Sequence, residues 1–154
     1  MTAGDPAATV HASAVLVGAR ALLIRGPSAA GKSSLTFSLL LSAQSGLLPF
    51  VRLVGDDRVH LEARHGRLLV RPAAMLAGLI EIRGLGIRRV AQEAVGVVGA
   101  VVDLAAPDAE RMAAEPSTTT VCGIELPRLA VAADGDALAQ VLAFLGAKPL
   151  LVRP

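Results

Sequence analysis

The first half of the chain contains short apolar runs that are separated by glycine, proline or charged residues. Residues 14–17 and 21–24 are two such runs, and the turn residues between them predict a β-hairpin. The stretch from Ser34 to Ala43 is apolar and free of glycine and proline, which predicts a helix that ends before Gly46. The chain is therefore expected to pass from a hairpin through a loop into a helix.

Further apolar runs predict strands in the middle of the chain. Residues 50–54 have the pattern of a buried strand, and Gly55-Asp56-Asp57 follows directly after it. Residues 58–63 and 67–71 flank a short polar turn and predict a second hairpin. The middle of the chain is therefore expected to be rich in β-structure.

The remaining segments predict, in order, a short helical or loop passage, a strand that breaks into a flexible turn, a buried strand, a polar loop, a short strand and a closing helix. These segments span residues 72–78, 79–87, 95–104, 105–120, 122–126 and 134–146. Asp134 or Asp136 is the expected N-cap of the closing helix, because a carboxylate accepts hydrogen bonds from the first free N–H groups.

The composition limits the fold classes to which the chain can belong. The chain has 154 residues, of which 53% are hydrophobic and 18% are charged. These values suit a single α/β domain with a sizeable core, preceded by a loose arm at residues 1–8. Only 2% of the residues are aromatic, with no Trp or Tyr, so the core must consist of Val, Leu, Ile and Ala.

The charge, the cysteine content and the length of the apolar runs argue against nucleic-acid binding, a disulfide and a membrane span. The formal net charge is +2, and the arginines are scattered apart from Arg88-Arg89, which does not predict nucleic-acid binding. The single cysteine, Cys122, cannot form an intramolecular disulfide. No apolar run is long enough to span a membrane, and the N-terminus has no apolar signal core. We therefore expect a cytoplasmic protein that binds neither nucleic acid nor membrane.

One segment carries a motif with a defined chemistry, GxxxxGK[ST], between the predicted strand 21–24 and the predicted helix. Glycines let backbone N–H groups turn towards phosphate oxygens, and the helix N-terminus adds partial positive charge. The lysine and serine of the motif suit the β- and γ-phosphates and Mg²⁺, respectively. A glycine-rich turn that only caps a helix is the alternative. The predicted nucleotide-binding residues are Gly26, Pro27, Ser28, Ala29, Ala30, Gly31, Lys32 and Ser33.

Carboxylates after later strands could complete such a site. Asp56 and Asp57 follow an apolar strand, and one of them could hold Mg²⁺ or accept the proton of the attacking group; a simple Gly-Asp-Asp turn is the alternative. Glu81 suits a Mg²⁺ shell and Arg83 suits phosphate, although an exposed ion pair would give the same pattern. The first hairpin would bring His11 near the loop, as an ordinary strand-end histidine or as a catalytic one.

These residues occur in the order and approximate spacing seen in a known family. His11, residues 26–33, Asp56-Asp57 and the run Glu-Ile-Arg-Gly-Leu-Gly-Ile at 81–87 resemble the catalytic, C-terminal domain of HPr kinase/phosphorylase. The last run is very specific to that family. The resemblance implies an α/β fold, a P-loop kinase domain with a mixed β-sheet like that of HPr kinase and phosphoenolpyruvate carboxykinase. It also implies a kinase that phosphorylates a serine of HPr, a carrier of the sugar phosphotransferase system.

The resemblance further implies roles for individual residues. MgATP would bind with its phosphates in the loop, where Lys32 neutralises charge on the transferring group. Ser33 and Glu81 would hold Mg²⁺. Asp57 would be the base that takes the proton of the acceptor serine.

The same resemblance extends to the remaining site residues and to partners. His11 and Arg111 would help to hold and polarise phosphate. The implied partner is HPr or an HPr-like phosphocarrier protein, and the chain is expected to form a homo-oligomer.

The chain departs from the family pattern in several places. The short segment before His11 resembles the short form of some proteobacteria, which lacks the N-terminal domain. Ala29 replaces the usual glycine, and Ser34 stands where a glutamate usually follows the serine. The arginine-rich loop that the family links to dephosphorylation is reduced to residues 126–128. Phosphorylation is therefore expected in preference to dephosphorylation, with a small-molecule kinase and a nucleotide-sensing module without turnover as alternatives.

Overall fold

The computed structural model describes residues 8–109 and 117–146. A short 3₁₀ turn at Ala74–Leu76 lies between the fifth and sixth strands. The helices and strands are, in chain order, β1 (Ser13–Val17), β2 (Arg20–Arg25), α1 (Lys32–Gln44), β3 (Val51–Gly55), β4 (Val59–Arg64), β5 (Arg67–Pro72), β6 (Leu79–Ile82), β7 (Gly86–Arg89), β8 (Gly96–Asp103), β9 (Ser117–Val121), β10 (Ile124–Ala130) and α2 (Ala137–Gly146).

The described strands form a mixed sheet and a separate hairpin. Six strands follow the order β3-β1-β2-β8-β10-β9, and β5, which carries β4, pairs with the start of β8. The β2 and β8 strands are parallel, as are β8 and β10, whereas the other pairs are antiparallel. The carboxyl ends of β2, β8 and β10 therefore meet at one edge of the sheet, where ligands bind in open α/β sheets.

The sheet has an apolar cluster on each face. In the β2–β8 pair, Leu23 lies opposite Val101, and Ile24 lies opposite Val102. Because side chains alternate along a strand, the first pair belongs to one buried cluster and the second pair to the other. The second cluster also contains Leu35 and Leu39 of α1 and Val141 of α2, so both helices cover the same face.

The structure confirms most of the predicted elements. The first hairpin is β1–β2, the second is β4–β5, and the helix after the loop is α1. The segment at 79–87 was expected to be one strand that breaks into a turn, but the structure has a hairpin, β6–β7, whose turn is at residues 83–85. At α2, the Asp136 carboxylate accepts a hydrogen bond from the Ala139 N–H at 3.0 Å, which identifies it as the cap.

Two predicted boundaries near the end of the chain differ from the structure. Residues 105–120 were expected to be a loop, but β9 begins at Ser117, with a run of threonines that alternates between exposed and half-buried positions. β9 is an edge strand, so it needs no apolar run, and β-branched threonine suits this position. The strand expected at 122–126 begins later, because Cys122 and Gly123 have positive φ angles of 51° and 79° and form the turn before β10.

No helix in the described ranges is long and apolar enough to cross a membrane. The predicted arm at residues 1–8 lies almost entirely outside the described residues, as does Arg111.

Candidate active site

The predicted phosphate loop connects β2 to α1. A Cβ atom at Gly26 would lie 3.1 Å from both the Cβ and the carbonyl oxygen of Leu104, so only glycine fits the start of the loop without displacement. Gly31 precedes the helix with a φ of 98°, a left-handed conformation that favours glycine. The two fixed glycines of the motif therefore serve two needs, close packing against the β8 end and a sharp turn into α1.

Ala29 is the strained residue of the loop. Its φ is 65°, in the left-handed region, where the alanine Cβ atom approaches the following carbonyl. This is also the position where the chain departs from the family pattern given above, which has glycine there.

Replacing Ala29 with glycine should raise the free energy of unfolding by about 0.5–1 kcal/mol. Relief of a left-handed strain of roughly 1–2 kcal/mol exceeds the entropy that glycine adds to the unfolded chain. Urea unfolding measures this change. Ala30→Gly is the matched control, because Ala30 has no positive φ and packs against the core; it should lower stability. Equal changes for both variants would contradict the strain at Ala29.

Lys32 lies inside the loop that precedes it. The residue is only 6% exposed, and its ammonium donates hydrogen bonds to the carbonyl oxygens of Gly26 at 2.8 Å and Pro27 at 3.0 Å. It forms no ion pair with any carboxylate among the described residues. Its charge is therefore held at the loop by neutral carbonyls, which an anion such as phosphate can replace as partners.

Asp56 connects the elements of the site. Its carboxylate is 5% exposed and accepts hydrogen bonds from the hydroxyls of Ser13 at 2.7 Å and Ser33 at 2.8 and 2.9 Å. The Glu81 N–H approaches the same carboxylate at 3.4 Å. Asp56 thus links β1, the start of α1 and β6 to the end of β3. The sequence interpretation named Asp56 as one of two candidate carboxylates after a buried strand, but it assigned a role only to Asp57.

Asp57 has a different environment from its neighbour. Its side chain is 59% exposed, and one carboxylate oxygen lies 2.7 Å from Nε2 of His11. Its φ of 69° is left-handed. The Asp57 N–H donates to the Ser13 hydroxyl at 3.2 Å, and its carbonyl accepts from the Ala12 N–H at 3.1 Å. These contacts hold the turn that directs the Asp57 carboxylate outward while Asp56 is directed inward.

A cavity of about 560 Å³ brings the predicted residues together. This volume is typical of a pocket for a small ligand. The cavity wall contains Lys32 and Ser33 from the loop, His11 and Asp57, and part of the β6–β7 hairpin. The lining residues are His11, Ser28, Ala29, Gly31, Lys32, Ser33, Ser34, Asp57, Glu81, Ile82, Arg83, Gly84 and Gly86. Gly26, Pro27 and Ala30 belong to the same loop and are not part of the cavity wall.

The described residues contain no group of three or more His, Cys, Asp and Glu side chains arranged as a closed metal site. Glu81 lines the cavity, and the Ser33 hydroxyl faces Asp56. Oxygen donors on one side of an open cavity suit Mg²⁺, which usually keeps waters and binds substrate phosphates beside one or two carboxylates.

Four charged side chains join the ends of the three strands next to the loop. Asp103 accepts a bidentate pair from Arg25 at 2.8 and 2.9 Å and a further hydrogen bond from Arg128 at 2.6 Å. Arg128 also makes a bidentate pair with Asp108 at 2.8 and 2.9 Å. The sequence interpretation considered residues 126–128 as a remnant of an arginine-rich loop, but Arg128 is held in this network. No sequence pattern indicated these contacts.

The network lowers the pKa of Asp103. Burial raises this pKa, but the hydrogen bonds and charges of Arg25 and Arg128 outweigh burial and bring it below its ordinary value. The hydrogen bond from Arg128 lowers the pKa of Asp108, and the hydrogen bonds from Asp108 and Asp103 raise that of Arg128.

Asp103 should therefore contribute stability above about pH 4, the ordinary range of an unfolded aspartate, and lose it as the pH falls through its lowered folded pKa. Asp103→Asn should lower the free energy of unfolding by about 2–4 kcal/mol at pH 7. The difference from the parent should shrink as the pH falls from 4 to 2. Glu125→Gln, an exposed change on β10, is the control. A difference that stays constant over this pH range would contradict the assignment.

Comparisons with known proteins found a matching family model and several similar proteins. The family model of the HPr Serine kinase C-terminal domain matches residues 5–144. The HPr kinase/phosphorylase of Mycoplasma mycoides is 34% identical over 83 residues, which are 54% of this chain and 24% of that protein. The HPr kinase/phosphorylase of Streptococcus thermophilus is 39% identical over 80 residues, 51% of this chain and 24% of that protein. The matched part is thus about a quarter of the length of these relatives.

A solved structure also has the same fold. The Hpr(Ser) kinase/phosphatase from Coxiella burnetii has a TM-score of 0.72 and 23% sequence identity, and the match covers 88% of this chain and 92% of that chain. At this identity the likeness shows the mixed α/β fold.

Proposed function

Because the chain belongs to the HPr serine kinase C-terminal domain family, we propose that it is an ATP-dependent protein serine kinase. The acceptor is HPr or an HPr-like phosphocarrier protein of the phosphotransferase system. The observation that carries this proposal is the cavity that Lys32, Asp57 and Glu81 share. A cation at a helix N-terminus, an exposed carboxylate and a second carboxylate on one wall are the groups that phosphoryl transfer requires.

The loop at residues 26–33 binds the nucleotide triphosphate in this proposal. Its backbone N–H groups and the start of α1 attract the phosphates. Lys32 exchanges its hydrogen bonds with the loop carbonyls for phosphate oxygens and stabilises the charge that increases during transfer.

The donor set fits a magnesium ion. The Ser33 hydroxyl and the Glu81 carboxylate would hold it. Asp56 orients the Ser33 hydroxyl, whose single proton is shared between the two carboxylate oxygens. Bound Mg²⁺ neutralises charge on the β- and γ-phosphates. The buried Asp56 also attaches Ser33 to the rest of the fold, so the hydroxyl keeps its position when the loop is occupied.

Asp57 acts as the general base. Its carboxylate is exposed to the cavity, where a serine hydroxyl can approach, and its contact with His11 fixes the orientation of the carboxylate. A base within hydrogen-bond reach of the acceptor increases the rate by taking its proton during attack. His11 thus positions Asp57, in addition to the phosphate contact that the sequence implied. Arg111 keeps its proposed role at phosphate, and it lies outside the described residues.

The arginine network supports one direction of the reaction, phosphorylation, over the other. Arg128 is held by two aspartates. It belongs to the segment 126–128, which corresponds to the arginine-rich loop that the family links to dephosphorylation. Three of its five N–H donors and its positive charge are engaged by these two carboxylates, which disfavours its use in binding a phosphoserine. We therefore assign phosphorylation as the main activity.

We further infer that the protein acts as a homo-oligomer in the cytoplasm, where ATP and phosphocarrier proteins occur together.

Incubation with γ-labelled ATP, Mg²⁺ and purified HPr tests the proposal. Label on a serine of HPr is the expected result. Label on a small metabolite in place of HPr would indicate a small-molecule kinase, and tight ATP binding without any transfer would indicate a nucleotide-sensing module. Either of these results would overturn the proposal.

A further inference from the structure

The β6–β7 hairpin lies apart from the main sheet. Its turn and second strand are exposed, and they include two large apolar side chains, Leu85 at 61% and Ile87 at 64% exposure. Two exposed apolar side chains this close together in one short element form a candidate contact surface for another molecule.

The pairing register places this surface at the cavity. Ile87 lies directly opposite Glu81, and residues directly opposite in an antiparallel pair have side chains on the same face. Glu81 lines the cavity together with Arg83 and Gly84. The apolar surface is therefore continuous with the rim of the site that contains Asp57.

The hairpin is also positively charged. Arg83, Arg88 and Arg89 are exposed, and none of them forms an ion pair within residues 8–109 or 117–146. Within the described part of the chain, Arg88 donates only to the carbonyl oxygen of its neighbour Ile87, at 3.1 Å. Alternation along β7 places Arg89 on the same face as Ile87 and Arg88 on the opposite face. Arg83 and Arg89, beside the two apolar side chains, fit a partner with acidic residues around an apolar patch.

The turn itself is uncovered. A Cβ atom built at Gly84 or Gly86 would have no other atom within 4 Å, and both residues have positive φ angles, 86° and 91°. The glycines are thus needed for the backbone of the turn and leave open space above it. Another polypeptide can approach this backbone closely.

We propose that the hairpin at residues 79–89 is the docking surface for the acceptor protein. The hairpin binds the face of the acceptor protein that carries the acceptor serine. On that face, the serine lies beside an apolar patch with acidic residues around it. This inference rests on the proposed function. The acceptor fits better than a second copy of this chain, because a permanent occupant of the rim would block the approach of a serine to Asp57. The acceptor, in contrast, leaves after each transfer.

The double variant Leu85→Ser with Ile87→Ser tests the docking surface. We expect the dissociation constant and the KM for purified HPr to rise about tenfold or more, because exposed anchors of an interface contribute most of its affinity. The dissociation constant for ATP should stay within twofold. Arg89→Glu should also weaken HPr binding, and the loss of affinity should be larger at low salt than at high salt. Leu47→Ser, at a residue that is 67% exposed and not part of the cavity wall, is the matched control and should bind HPr as the parent does.

The outcomes separate the two proposals. Hairpin-dependent binding of HPr without label on its serine would support the docking surface and overturn the kinase assignment. Transfer to HPr with unchanged binding and KM in the double variant would overturn the docking surface alone. A change in oligomeric state by light scattering, with an unchanged KM for HPr, would assign the hairpin to a second copy and also overturn it. No binding of HPr by the parent would overturn both.

Discussion

Replacing Lys32 with alanine should lower the rate of phosphoryl transfer to HPr by a factor of roughly 10³. The ammonium lies at the loop with only carbonyl partners, so its charge is available to the transferring group. Removal of one well-placed group that stabilises transition-state charge typically lowers a rate by about 10²–10³, and the full charge of lysine places this site at the upper end. Single-turnover transfer from labelled ATP measures the effect.

Lys32→Met is the structural control for this prediction. Lys32 is buried, and methionine keeps most of its apolar stem without its charge. Thermal unfolding should show that the methionine variant is folded, while its transfer rate falls as far as that of the alanine variant. A folded Lys32→Met protein with a transfer rate within tenfold of the parent would contradict the role of the ammonium.

Replacing Asp57 with asparagine should remove transfer while sparing ATP binding. An amide cannot accept the serine proton, and loss of a general base lowers a rate by about 10²–10⁴-fold. The short side-chain contact of Asp57 is with His11 and not with the loop at residues 26–33. The substitution should therefore leave the nucleotide loop intact. Asparagine tolerates the left-handed φ of this position, and the fold should not change. Transfer rates and ATP titrations measured on the same protein provide the two readouts.

Asp56→Asn is the contrasting variant. Asp56 is buried and accepts hydrogen bonds from Ser13 and Ser33. An amide there would place its NH₂ donors against hydroxyl donors or leave a buried group unpaired. We expect weaker Mg²⁺-dependent ATP binding and a lower free energy of unfolding, effects that Asp57→Asn should not have. Equal effects of the two variants on ATP binding would contradict the division of roles.

The sequence predicted the elements whose pattern is local. The β1–β2 hairpin, the glycine loop and α1 each have a short motif or an uninterrupted apolar stretch, and each is present in the structure. The β9 strand was missed because an edge strand of threonines resembles a loop when apolar residues alone are counted. The β6–β7 hairpin was taken as one strand because its glycines indicate a turn without indicating that the chain pairs with itself afterwards.

The site was predictable where residue types alone carry the chemistry. The loop was named from its motif, whereas Asp57 and Glu81 were assigned through the family resemblance. The structure places all three at one cavity, and their roles stay predictions. Two features were not predictable. The central position of Asp56 depends on which of two adjacent carboxylates the backbone directs inward, and the Arg25–Asp103 pair joins residues on different strands. Such contacts follow from strand order, which no local pattern encodes.

A crystal structure with Mg²⁺ and a non-hydrolysable ATP analogue tests the central claim most directly. We expect the triphosphate within residues 26–33, the metal at the Ser33 hydroxyl, the Lys32 ammonium moved from the loop carbonyls to phosphate, and the γ-phosphate facing Asp57. A nucleotide bound elsewhere, or one whose γ-phosphate faces away from Asp57 and Glu81, would contradict the account.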